Sequence, residues 1–177
     1  MSAARTVDSR WAMTIDVRPL MAGDKTAWQQ LYAGYHAFYQ RPDLPQSFFD
    51  IAFGRLLSGD DRDFRGLVAQ TDGTLLGLVH YVFHPHLWQR EGVCYLQDLF
   101  TDPAARGRGV GRALINAVYD AADQAGVPGV YWMTQEFNYA GRTLYDRVGT
   151  RTPFIKYSRP SKIPIDKPIY IEGFIFF

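Results

Sequence analysis

Between Asp98 and Ala113 the chain reads Asp-Leu-Phe-Thr-Asp-Pro-Ala-Ala-Arg-Gly-Arg-Gly-Val-Gly-Arg-Ala, with alternating glycines at 107, 109 and 111 among Arg106, Arg108 and Arg112. Backbone without Cβ atoms can close on a ligand, so N–H and guanidinium groups converge on phosphate oxygens, best at a helix N-terminus. A pyrophosphate suits that cradle. Two common phosphate loops do not fit the letters. A P-loop needs Gly-Lys-Ser/Thr, whereas Gly111 precedes Arg112 and Ala113. A dinucleotide fingerprint needs Gly-x-Gly-x-x-Gly, and the sixth residue is Arg112 counted from Gly107 or Leu114 counted from Gly109.

A second constellation follows: Asn138, Ala140, Tyr145 and Gly149, spaced Asn-x-Ala-x-x-x-x-Tyr-x-x-x-Gly, after the strand-like run Gly129 to Thr134. Together the two motifs resemble the GNAT superfamily of N-acetyltransferases. Arg106-x-x-Gly109-x-Gly111 is similar to its acyl-CoA loop, and Asp98-Leu99-Phe100 to the end of its fourth strand. Asn138 and Tyr145 are similar to its cofactor-side asparagine and its tyrosine general acid. The resemblance covers roughly residues 12 to 159. Tyr131 to Asn138 and Phe154-Ile155-Lys156-Tyr157 look most like the small histone, polyamine and D-amino-acid acetyltransferases. It implies acetyl-CoA as cosubstrate, held by Leu99, Phe100, Thr101, Arg106, Gly107, Arg108, Gly109, Val110, Gly111, Arg112, Asn138 and Arg142. The expected backbone donors are the amides of Arg108 to Gly111.

Acetyl transfer to an amine needs a free lone pair. An alkyl ammonium of pKa ~10.4 is neutral in only about one part in a thousand near pH 7.4, a deficit worth roughly 4 kcal/mol. A base should therefore stand near the attacking nitrogen. Related spermidine/spermine enzymes resemble a Glu-Asp pair here, whereas this chain has Gln97-Asp98. The base role thus falls to Asp98, to a water it holds, or to Glu136. Successive strand side chains face opposite ways, so Gln97 and Asp98 share a pocket only across a bulge. Asp98 can equally be a structural residue of the loop. Tyr145, a phenol neutral at working pH, fits an acid that protonates the departing thiolate; the alternative is half-buried packing beside Leu144 and Val148.

On the acceptor side Tyr39, Gln97, Trp132 and Glu136 are the candidates. Tyr35, Trp88, His84 and His86 could also wall a cleft, although aromatic residues at helical spacing more often form core. His84-Pro85-His86 has too few partners for a metal, and none is expected. Cys94 in an apolar strand has a raised thiol pKa, so direct transfer is favoured over an acetyl-enzyme.

The elements that must hold these residues follow from periodicity. Residues 1–11 read as a flexible leader and Met13 to Pro19 as a strand. A helix capped by Asp24 carries Trp28, Leu31, Tyr32, Tyr35, Phe38 and Tyr39 until Pro42 and Pro45 stop it. Ser47 caps a second helix, ended by Ser58-Gly59-Asp60. Phe64 to Gln70 and Thr74 to Phe83 form a hairpin through Asp72-Gly73. A strand Val93 to Phe100 leads through the loop into a helix Gly109 to Ala125. A strand 130–134, a helix from Asn138 to Gly149 and a strand from Thr152 to Arg159 complete the order. This is an α/β fold with a mixed, mostly antiparallel sheet, the GNAT arrangement, in one domain spanning 12–159, followed by an apolar extension at 160–177.

The 177 residues, 47% hydrophobic, suffice for one core. Nineteen basic against eighteen acidic residues give a net charge of +1, so neither nucleic acid nor an anionic membrane is an expected partner. One cysteine excludes a disulfide framework, and the polar start has no apolar signal region; both suit a cytoplasmic setting. The acceptor is expected to be a primary amine of a small molecule, amino acid or lysine side chain. The near-neutral charge, with only Glu91, Asp98 and Glu136 near the cleft, weighs against a polyamine. The competing class is a non-catalytic acyl-CoA-binding or interaction domain. The apolar run Ile169 to Phe177 is expected to be covered, favouring a homodimer.

Overall fold

The computed structural model describes residues 14–160. Four antiparallel strands and one parallel strand form a sheet in the order β1-β2-β3-β4-β5: Asp16–Pro19, Arg65–Thr71, Thr74–His86, Gln89–Thr101 and Val130–Tyr131. Helices α1 (Lys25–Phe38) and α2 (Gln46–Leu56) cover one face; α3 (Val110–Gln124) and α4 (Tyr139–Val148) cover the other. The mixed α/β fold is the one expected.

Each face has its own core. Trp28, Leu31 and Tyr32 of α1 meet Phe49 and Phe53 of α2 over Val68, Leu78 and Phe100. On the other side Val110, Leu114, Ile115 and Val118 of α3 cover Ala69, Val79, Tyr81, Cys94 and Leu96. The aromatic stripe of α1 is therefore core along its first half, while Phe38 at its end is 50% exposed. At the hairpin between β2 and β3, Asp72 and Gly73 both take positive φ, as that dipeptide predicts.

Three expectations are corrected. The strand predicted at 130–134 pairs with β4 only at Val130 and Tyr131, because Trp132 turns away to pack against Tyr119 and Tyr145. The strand expected from Thr152 to Arg159 does not form: among the described residues the segment pairs with no strand, and Phe154, Ile155 and Tyr157 are exposed. Pro153 lacks an N–H for a ladder, and two-residue β5 offers little edge to extend. Ser47 is not the cap of α2; Pro45 precedes the first turn, and its carbonyl accepts from the Phe48 amide at 3.0 Å. The leader, and the extension apart from Pro160, lie outside the described residues, as does Met13. No described helix is long and apolar enough to cross a membrane.

Candidate active site

The site is built where two strands part. β4 and β5 run parallel and pair over Cys94–Tyr95 with Val130–Tyr131 only; beyond Tyr95, β4 continues with β3 alone beside it. A narrow cleft of about 20 Å³ lies at the divergence, lined by Tyr35, Tyr39, Leu96, Gln97, Leu99, Trp132, Met133 and Tyr145. The sequence candidates Tyr39, Gln97, Trp132 and Tyr145 thus meet there. Glu136 does not join them: its side chain is exposed, and its carbonyl accepts from Arg142 Nη1. Trp88 sits 87% exposed at the β3–β4 hairpin tip, and His84 faces Tyr131 there, Nε2 to hydroxyl 3.0 Å. A larger groove of about 680 Å³ opens between α1, the β2–β3 hairpin and Pro103. It contains neither Tyr145 nor Gln97, so size does not locate the chemistry.

Tyr145 is held by the edge of Trp132, ring centroids 5.6 Å apart. Trp132 in turn leans on Gly149, where a Cβ would stand 2.5 Å from the indole ring. Gly149 is extended (φ −149°), so space rather than backbone freedom demands glycine. Burial first, then the Tyr39 phenol, pushes the Tyr145 pKa up to about 12. It is a neutral donor throughout the physiological range.

A bulge places Gln97 and Asp98. His80 opposes Asp98 and Tyr81 opposes Leu96, leaving Gln97 as the extra residue of β4. Before it Cys94 and Leu96 point into the α3 core; after it Leu99 does, while Asp98 and Phe100 turn towards α1. Gln97 accordingly lines the cleft and Asp98 lies beneath α1, 2% exposed. Its Oδ2 sits 2.9 Å from His80 Nδ1 and accepts from the Tyr32 hydroxyl at 3.3 Å. Trp28 Nε1 donates to His80 Nε2 at 2.9 Å. An indole N–H can only donate, so His80 carries its proton on Nδ1 and gives that hydrogen bond to the Asp98 carboxylate. Sequence reasoning missed this Trp28–His80–Asp98 chain, whose members are joined only by strand register and helix docking.

The loop before α3 has the backbone its glycines predict: Gly107 and Gly109 are left-handed (φ 75° and 92°), and Gly109 is the N-cap with no side chain bonded over it. The first intrahelical bond runs from the Ala113 amide to the Gly109 carbonyl, so the Val110, Gly111 and Arg112 amides open the helix as anion donors. At Gly111 a Cβ would meet Leu144 Cδ2 at 3.0 Å, which brings α4 against the loop. Arg106 bends back, donating from Nε to the Thr101 carbonyl at 3.3 Å, its guanidinium 5.9 Å from the Phe100 ring centre. Arg112 and Arg108 are exposed. Opposite, the Asn138 side chain caps α4 as expected: Oδ1 accepts from the Gly141 amide at 3.1 Å and Nδ2 donates to Thr134 Oγ1 at 3.0 Å. Cys94 is fully buried, and burial pushes its thiol up to about 11.

A family model described as acetyltransferase (GNAT) family matches residues 27–150, most of the chain. The chain belongs to the GNAT family of acetyltransferases. Its family membership is echoed by D-amino-acid N-acetyltransferase HPA3 of Saccharomyces cerevisiae, 34% identical over 146 residues, 82% of this chain and 90% of that protein. Solved GNAT structures share the fold. Ribosomal-protein-alanine N-acetyltransferase of Brucella melitensis superimposes with a TM-score of 0.70 at 21% identity, covering 84% of this chain and 99% of the other. AAC(6')-Iy, in complex with a CoA-containing bisubstrate analogue, gives 0.72 at 20% identity, with 84% and 99% covered.

Proposed function

We propose that this N-acetyltransferase moves an acetyl group directly from acetyl-CoA to the primary amine of a small molecule, an amino acid or a lysine side chain. The observation that carries the reading is the placement of Tyr145: a neutral phenol in the cleft where β4 and β5 part, on the α4 helix that Gly111 brings against the anion-binding loop.

The residues present fit acetyl-CoA. An uncapped helix start at Gly109, preceded by left-handed Gly107, leaves backbone donors for a pyrophosphate, with Arg106, Arg108 and Arg112 around them. Leu99, Phe100 and Thr101 form the strand wall leading to that loop; Asn138 and Arg142 stand on the opposite wall. Acetyl-CoA brings an acyl group already activated as a thioester. The protein orients the acceptor, excludes water and offers the Tyr145 hydroxyl to the sulfur as negative charge develops there. The buried, high-pKa Cys94 supports direct transfer.

No lysine, arginine or carboxylate side chain lines the cleft among the described residues, which favours a small acceptor over a polycation. HPA3 puts free D-amino acids first among acceptors to try. The setting we favour is the cytoplasm and the assembly a homodimer; light scattering before and after truncation at Arg159 tests the latter, since a full-length monomer unaffected by truncation would contradict it. The enzymatic reading is tested by thiol release from acetyl-CoA with D- and L-amino acids, polyamines and a lysine peptide, followed by product mass. Binding of acetyl-CoA without thiol release for any amine would favour the non-catalytic alternative.

A further inference from the structure

The cleft where β4 and β5 part has two unlike sides. Tyr35, whose ring leans on Tyr39 at 5.0 Å, packs with the α1 core, whereas Leu96, Leu99, Trp132 and Tyr145 pack with the α3 core. The anion-binding loop opens α3, so a cosubstrate held there enters along the second side, and the acceptor is left the side of Tyr35 and Tyr39. A thioester whose sulfur faces the Tyr145 hydroxyl carries its acyl carbon one covalent bond further. The rest of the acyl chain must then fit beside what adjoins Tyr145, and its ring contact there is Trp132, centroids 5.6 Å apart.

Trp132 has no room to retreat. Its ring lies 6.4 Å from that of Tyr119 on α3, and it meets the end of α4 so closely that a Cβ on Gly149 would stand 2.5 Å from Cη2 and 2.9 Å from Cζ2. The Tyr119 hydroxyl donates to the Val148 carbonyl at 2.7 Å, which ties α3 to the residue before Gly149 and closes the clamp behind the indole. The cleft that remains measures about 20 Å³. A water-sized group needs roughly 10–15 Å³, so the space takes one or two of them: the carbonyl and methyl of an acetyl group, and not a longer chain.

We propose that Trp132, clamped between Tyr119 and Gly149, sets the length of the acyl chain, so that the protein takes acetyl in preference to propionyl and longer thioesters. This rests on the acetyltransferase reading above, and it gives Trp132 a role on the donor side in place of the acceptor side expected from sequence. Leu96, Leu99 and the indole offer a methyl group contact but no void for a further methylene, and in a close-packed wall an added methylene displaces a side chain or stays out. Gly149 is a positioning residue, acting through the indole. It is extended (φ −149°), so alanine there strains no backbone and acts by pressing on the ring, for which the cleft is the open side.

The test reads affinity first, without acceptor: calorimetric Kd for acetyl-, propionyl- and butyryl-CoA on the full chain, for the wild type, Trp132→Leu, Trp132→Phe and Gly149→Ala. The kcat/KM ratio of propionyl-CoA to acetyl-CoA with one accepted amine follows. One methylene against a hydrophobic wall is worth about 10- to 200-fold, so the wild type should favour acetyl over propionyl within that range, with butyryl weaker still. Trp132→Leu should shrink the preference by about tenfold or more and Trp132→Phe by less, while Gly149→Ala should widen it. Trp132→Phe keeps a ring against Tyr145 and carries the test if the leucine variant does not fold. Wild-type preference below about twofold overturns the inference, as does a preference unmoved in the Trp132 variants or relaxed by Gly149→Ala. A change only in which amine is accepted, with the acyl series constant, returns Trp132 to the acceptor side and overturns it too. Absence of thiol release from every acyl-CoA with every amine overturns the acetyltransferase reading and this inference together; wild-type turnover with a flat acyl series overturns this inference alone.

Discussion

Replacing Tyr145 by phenylalanine removes one oxygen from a side chain packed edge-on against Trp132, so the ring and its contacts survive. What is lost depends on how far the proton travels. The phenol lies at about 12. Against a thiolate of ordinary pKa ~8.5, complete transfer is uphill by roughly 5 kcal/mol. The departing sulfur is desolvated in the same cleft, which narrows the gap without closing it. As the acid of the proposed reaction, Tyr145 would therefore contribute mainly a charge-assisted hydrogen bond to the developing thiolate, worth about 1.5–3 kcal/mol. Tyr145→Phe should lower kcat by about 10- to 150-fold. Acetyl-CoA affinity by calorimetry should change little, because the uncharged thioester sulfur is a poor acceptor before the bond breaks. A steady-state thiol-release assay reads the first quantity. Wild-type kcat would reduce Tyr145 to packing. An equal loss in affinity and rate would mean that the hydroxyl holds the ground state, and a loss above about 10⁴-fold would mean full proton transfer, contrary to the pKa argument.

Gly109→Val and Gly111→Asp should each abolish acetyl-CoA binding in a folded protein: the first forces a side chain onto φ +92°, and the second puts a Cβ 3.0 Å from Leu144 and a carboxylate at the anion site. Unchanged calorimetric affinity would remove the loop from the cofactor site. Cys94→Ala should keep most activity at a cost of about 1–2 kcal/mol in stability, with no acetyl adduct by intact mass; a trapped adduct on Cys94 would contradict direct transfer. His36 is 2% exposed, its Nε2 has no hydrogen-bond partner among the described residues, and burial lowers its pKa to about 4. Between that value and ~6.5 the unfolded chain binds the extra proton, so stability is full above pH ~6.5 and falls by up to roughly 3 kcal/mol as pH drops to about 4, less where water reaches the ring. His36→Phe should flatten that limb in chemical denaturation; an unchanged limb would place the acid sensitivity elsewhere.

What the sequence disclosed was what short-range chemistry determines. Gly107 and Gly109 sit at positive φ because no other residue does so cheaply, and Asn138 caps α4 because its amide reaches back three residues. Such signals need no knowledge of the rest of the chain. The roles of Gln97 and Asp98 were different. Alternation alone set them on opposite faces, and only the pairing of His80 with Asp98 and of Tyr81 with Leu96 reveals a bulge that lets one line the cleft while the other turns beneath α1. Tyr35 was ambiguous for a related reason. Its spacing on α1 matches that of Trp28 and Tyr32, and where along that stripe the core ends and the cleft begins depends on where β5 leaves β4. The strand expected at Thr152 to Arg159 had apolar residues but no partner to pair with among the described residues.

The early parting of β4 and β5 has a cost besides its use. From Leu96 to Thr101, β4 presents to solvent or ligand a run of backbone amides and carbonyls with no β5 partner. An open strand edge is the surface by which β-proteins add foreign strands and aggregate. If this gap is the proposed active site, it cannot be blunted by proline or sealed by a helix without shutting out the substrate. The protein's colloidal behaviour is thereby tied to occupancy: a ligand whose own amides complete the ladder raises stability by RT ln(1 + [L]/Kd) and withdraws the adhesive edge in the same act. Starved of cosubstrate, the enzyme should become stickier before it becomes unfolded.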